Sequence, residues 1–228
     1  MLTAPSDDRG NPMHERFTRL LRGIAILAFT VLSIAVAAYA FAYLYREHSP
    51  YNRFATQFAV SGLDVPAHFF GAGLALLLTP LQLSATVRRL APRLHRLGGW
   101  LTAGGILVAA VAALSMSRHT QGGAASGVAL AALALAWLIC TGKGIHRIVA
   151  GDIAGHRRWM CRTAALTFAA VTLRLILGIG FALHLPSLPV YVFATWACWP
   201  LNLAVCELLL HRPTARLHPS ATTLAPHS

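Results

Sequence analysis

Acid is what this chain has least of. Only seven of its 228 residues are Asp or Glu, and charged residues of both signs make up 11%. A soluble domain carries about 25%. The shortage excludes an ordinary water-facing surface and leaves little for a two-carboxylate mechanism. Other catalytic signatures are missing as well. The sequence holds no G-x-S-x-G, no H-E-x-x-H, no Walker A loop and no G-x-G-x-x-G. Cys140, Cys161, Cys198 and Cys206 lie in or beside apolar runs and form no C-x-x-C pair, so they suggest small core residues rather than a disulfide framework.

What is present is apolar. Hydrophobic residues make up 56% of the chain, and mean hydropathy is +0.59. The expected fold class is all-α, an integral membrane bundle. Six runs approach the ~20 apolar residues that a spanning helix needs. They fall at 24–45, 66–86, 97–116, 124–142, 161–184 and 191–210. The first has a basic n-region and the small-residue run "AVAAYA", but it is too long for a signal peptide. The expected organisation is a tail over 1–23, a six-helix domain over 24–210 and a second tail over 211–228.

The formal net charge of +12 does not point to nucleic acid, because the cations sit in short clusters between apolar runs. That is the positive-inside pattern. Arg16, Arg19 and Arg22 precede the first run, "RRLAPRLHR" follows the second, and "KGIHRIVAGDIAGHRRWMCR" follows the fourth. Arg212 and Arg216 follow the sixth. The intervening loops are poor in Lys and Arg. Both termini are therefore expected in the cytoplasm, with the basic loops drawn to anionic lipid headgroups at about 1 kcal/mol per cation. The long first outer loop has room for an interfacial helix carrying Phe54, Phe58 and Leu63.

Polar residues within the runs form stripes. His68, Ala72, Ala75, Thr79, Gln82 and Thr86 share one face of the second run. Asp64, one turn before His68, is placed to accept a hydrogen bond from its ring. On the third, His95 heads the small stripe Gly99, Thr102, Ile106, Ala109 and Ala113. Such a stripe admits another helix or a flat cofactor. On the fifth, His156 and Arg174 are eighteen residues apart, five turns at 3.6 per turn, so they share a face. Ala165, Phe168, Ala169, Thr172, Leu175 and Ile176 occupy the other side and are free to face lipid. An intramembrane Arg is a functional candidate by default. Its expected partners are Asn202 and Glu207, although Arg93, Arg157 or Arg158 also suit Glu207.

The topology places His68 and His119 near one surface, and His95 and His156 near the other. Two such pairs on different helices suit bis-imidazole ligation of haem b, with copper as the alternative metal. Arg174 would then offset charge or hold propionates. The plainer reading is that interfacial His, Arg and Trp anchor the helices.

"HRRWMCRTAALTFAAVTLRL" followed by "WACWPLNLAVCELLL" resembles the bacterial membrane proteins grouped as domain of unknown function 2306. "PAHFFGAGLALLLTPLQL", "RLHRLGGW" and "HTQGG" are similar to that group's pattern too. The resemblance covers roughly residues 60 to 210. It implies a multi-pass protein of the bacterial inner membrane and supplies no activity. Its motif positions here are His68, Gln82, His95, Arg96, His119, His156, Trp159, Arg162, Arg174, Asn202 and Glu207. A weaker analogy runs to cytochrome b561 and ferric-reductase bundles, from which this chain departs because its fourth span holds no His.

The leading expectation is thus a haem-binding, electron-transferring membrane protein. A cofactor-free transporter or small-molecule binding protein with a midplane Arg174 site is the alternative. An assembly or scaffold subunit, with a homo-oligomeric or respiratory-complex partner, is the third. For orientation, green fluorescent protein fused after Leu210 is expected to fluoresce, and alkaline phosphatase at the same point to be inactive. Phosphatase placed in "HLPSLPV" is expected to be active.

Overall fold

A computed structural model describes residues 12–45 and 62–211. Every regular element among them is helical: α1 (Pro12–Tyr45), α2 (Asp64–Leu83), α3 (Ala85–Leu90), α4 (Pro92–Met116), α5 (Gly123–Val149), α6 (Ile153–Ala182) and α7 (Ser187–Leu210). A single 3-10 turn, Ser117–His119, links α4 to α5. All but α3 are long and apolar enough to cross a membrane. Six spans were expected and six are found. Phe54 and Phe58 lie outside the described residues.

The helix ends depart from the apolar runs. Helix α2 stops at Leu83 because Ser84 is extended, and the Ser84 hydroxyl accepts the Val87 N–H at 3.3 Å to start α3. Thr86 therefore leaves the α2 stripe. Helices α4, α5 and α6 continue into their charged flanks. Hydropathy follows the bilayer core, whereas backbone hydrogen bonding does not stop at its edge. Asp152 caps α6 by accepting the Gly155 N–H at 2.7 Å, and Arg147 lies 3.2 Å from its other oxygen. That N–H bond, helped by Arg147, holds the Asp152 carboxyl below the usual carboxylate range.

Neighbouring helices run antiparallel, since paired contacts step in opposite directions along the two chains. Between α2 and α4, His68 meets Ala109, Gly71 meets Gly105, and Gln82 meets Gly98. Between α5 and α6, Trp137 meets Thr167, Thr141 meets Thr163, and Gly144 meets His156. The bundle therefore has a basic end, where α2, α5 and α7 finish, and a far end, where they begin.

Helix α6 packs against α1, α2, α5 and α7. This corrects the expected lipid face. Ala169 is 1% exposed, and Phe168 stacks on Phe29 with ring centroids 4.7 Å apart. Surrounded by four helices, α6 is apolar or small on nearly every side. Its buried hydroxyls are satisfied locally: Thr167 donates to the Thr163 carbonyl and accepts from the Trp137 indole.

The small stripe of α4 has a helix against it, not open space. A Cβ at Gly71 would stand 2.5 Å from the Gly105 carbonyl oxygen and 3.1 Å from the Ala109 nitrogen. Overpacking of this kind costs about 1–3 kcal/mol. Gly71→Val is expected to lower the thermal midpoint in detergent by several degrees. Gly104→Ala, with nothing within 4 Å of the added carbon, should leave it unchanged or raise it. Differential scanning fluorimetry compares the two.

Candidate functional site

The bundle holds a partly open cavity of about 350 Å³ in its far half. Five long helices, α1, α2, α4, α5 and α6, supply most of the wall. Tyr191 and Cys198 of α7 and Thr120 of the α4–α5 link complete it. The wall is mainly aliphatic, with Val36, Ala72, Leu76, Leu133 and Leu173 among its members. Apolar walls with a few convergent polar groups are the usual form of a ligand site. The polar groups here are chiefly His68 and Arg174, with Tyr39, Thr167 and Tyr191 near them.

Each is positioned by its helix. His68 lies one turn into α2, and its Nδ1 is 2.9 Å from the Ala109 carbonyl oxygen of α4. A carbonyl only accepts, so Nδ1 carries the proton and donates. Arg174 projects from the last third of α6. One terminal nitrogen donates to the Ala170 carbonyl at 2.9 Å, one turn back, and the guanidinium carbon lies 5.2 Å from the Tyr39 ring centroid. Among the described residues no carboxylate pairs with it. The wall contains no Asp or Glu.

A second polar cluster lies at the basic end. With its amide nitrogen turned toward acceptors, Gln82 donates to the His95 carbonyl at 3.0 Å and to His95 Nδ1 at 3.1 Å. The Gln82 oxygen accepts from the Gly99 N–H at 3.2 Å. His156 donates from Nδ1 to the Gly144 carbonyl at 2.8 Å. The two imidazoles, close enough to interact electrostatically, thus hold opposite tautomers. His95 keeps its proton on Nε2, whereas His156 presents a bare Nε2. Deeper along α6, Arg162 makes a two-pronged pair with Glu207, at 2.5 and 2.9 Å. Trp159 lies between two cations, 4.6 Å from Arg162 and 4.7 Å from Lys143.

Residues 65–210 match the model of the family described as "Predicted membrane protein (DUF2306)". The chain belongs to that family. No curated protein and no solved structure matches it.

Against this geometry, several expectations for the DUF2306 chain need correction. Arg174 lies eight residues from the end of α6. It meets neither Asn202 nor Glu207. The register of α6 on α7 gives Asn202 to the Thr172 hydroxyl, at 2.9 Å, and to the Ala165 carbonyl, at 3.1 Å. It gives Glu207 to Arg162 rather than to Arg93, Arg157 or Arg158. His156 and Arg174 share a helix but serve opposite ends, about 27 Å apart at 1.5 Å per residue. Asp64 makes no hydrogen bond with His68, because Ala109 takes the ring. His119 falls on the exposed 3-10 turn and does not line the cavity. Arg96 bonds its own helix at Pro92. His68 is thus brought to Arg174 instead of His119, and His95 is brought to His156 as expected.

Tyr39, Trp137 and Tyr191 were missed by sequence reasoning. Tyr39 and Tyr43, two phenols one turn apart in a mainly apolar run, were the available signal; Tyr43 stacks on Phe69 with centroids 4.3 Å apart. The Arg162–Glu207 pair invites a double-mutant cycle. Arg162→Leu and Glu207→Leu are each expected to lower the thermal midpoint. The double variant should lose less than the two together, with a coupling of about 0.5–3 kcal/mol.

Proposed function

We propose that this DUF2306 protein binds a small molecule within the membrane, without a metal or haem, in the far-half cavity and through Arg174. The observation that carries the reading is an Arg in an apolar wall that contains no acid. A charge inside the bundle is costly, and among the described residues its polar partners are its own helix carbonyl and the Tyr39 ring. Its remaining N–H donors are available to a ligand, in a cavity at the lower end of the roughly 300–1,000 Å³ range of ligand sites. The basic end is proposed to face the cytoplasm of a bacterium and to lie against anionic headgroups, with both termini on that side.

The haem reading has less support. His119 is exposed and does not line the cavity, and the α4 stripe is packed against α2. Axial ligation through Nε2 would also require His95 to hold the tautomer opposite to the one its Gln82 contact favours.

Native mass spectrometry of the protein, purified in a mild detergent, is the test. Wild type is expected to carry a small molecule near one per chain. Arg174→Gln and the cavity-filling Ala72→Phe should reduce its occupancy at least tenfold. A wild type without adduct, or equal occupancy in all three, sinks the reading. The same sample should show no Soret band after expression with ample haem.

A further inference from the structure

We infer that the ligand of this cavity is a lipophilic carboxylic acid, its carboxyl group held between Arg174 and His68; this rests on the binding function proposed above. Arg174 has spent one terminal nitrogen on Ala170. Among the described residues its Nε and second terminal nitrogen make no hydrogen bond, so the guanidinium offers N–H donors and a full positive charge. His68 has spent Nδ1–H on Ala109. Its Nε2 makes no hydrogen bond to the protein either, and in the neutral ring it is a bare acceptor. The two side chains line one cavity and are near enough to interact electrostatically.

A head group that satisfies both must accept from one side and donate to the other. A carboxyl group does this with two oxygens. One oxygen takes the guanidinium N–H donors, and the acid proton bridges the other oxygen to His68 Nε2. Arg favours this planar geometry over Lys because its N–H donors form a fixed fork. An amine is excluded by like charge, since no Asp or Glu lines the wall. An ester or ether accepts but has nothing to give His68. An alcohol donates but offers Arg174 a weaker, uncharged acceptor.

The walls define the rest of the molecule. Away from the polar pair the lining is aliphatic, through Val36, Leu76, Leu130, Leu133 and Leu166. Along α6 it extends from Leu166 to Leu177, about 17 Å at 1.5 Å per residue. Arg174 sits near one end of that stretch, so an extended hydrocarbon tail runs from it toward Leu166 and Trp137.

Saturable binding of decanoic acid to the full chain in lipid nanodiscs, corrected for protein-free nanodiscs, tests the assignment. Methyl decanoate, decanol and decylamine are the comparison probes. Decanoic acid is expected to bind at least tenfold more tightly than the other three. Arg174→Gln should lose at least tenfold in affinity for the acid and little for the ester. His68→Phe should narrow the preference for acid over ester. Arg174→Lys keeps the charge without the fork and should fall between wild type and Arg174→Gln. Circular dichroism and a monodisperse elution profile establish that each variant is folded; if Arg174→Gln is not, the probe series on wild type decides. Equal affinity for acid and ester, or tighter binding of the amine, overturns the assignment. If none of the four probes binds while wild type still carries a molecule that Arg174→Gln loses, the carboxylic class falls and the cavity function stands. If that molecule is absent too, both fall.

Discussion

Helix α2 approaches α4 at a separation that only glycine permits, and the other features of the bundle follow from that seam. With no Cβ at Gly71 or Gly105, the two backbones come within reach of each other's polar atoms. His68 can then bond a carbonyl of α4, and Gln82 can reach the backbone of its first turns. In lipid, close van der Waals packing replaces the hydrophobic drive that water supplies to soluble helices. A side chain at either glycine would push the helices apart and release both contacts. The ring of His68 would lose the bond that fixes its tautomer, and with it the acceptor it offers to the cavity.

The polar chemistry divides between two ends. At the basic end several polar groups are matched: Arg162 has Glu207, Arg147 has Asp152, and Gln82 has the start of α4, while His156 keeps a bare Nε2. Cations there also flank Trp159. The far end is unsaturated, with a guanidinium and an imidazole that retain unspent capacity. Saturation is what a structural clamp needs, and surplus is what a binding site needs. Arg174 does not clamp α6 to α7, because its expected partner Asn202 bonds Thr172 and Ala165 instead.

Much of the fold was legible because lipid imposes a simple rule on sequence. Six apolar runs became six spans, and the small stripe of α4 correctly announced a close neighbour. The ends were not legible, since charged turns such as Lys143 to Val149 remain helical beyond the apolar core. That extension explains why Arg162 was not among the partners considered for Glu207. With α6 starting at Ile153, Arg162 lies about two and a half turns in and opposite Glu207. The equal spacing of His156 and Arg174 was real, but a shared face over five turns is not a shared site. Pairing across helices depends on register, and no single run carries it. The inward face of α1 was hidden for a related reason: Tyr39 belongs to a helix that is otherwise indistinguishable from a lipid-facing anchor.

The two fastenings of α2 lie fourteen residues apart, at His68 and at Gln82, about 21 Å along the helix. A rod pinned to its neighbour at two such points neither slides nor rotates against it. Helix α1 is attached differently, through stacked rings at Phe29 and Tyr43 and through apolar contact at Ala40. Contacts of that kind hold a helix close while tolerating small changes of tilt. The wall containing His68, pinned at both points, is the fixed frame of the chamber.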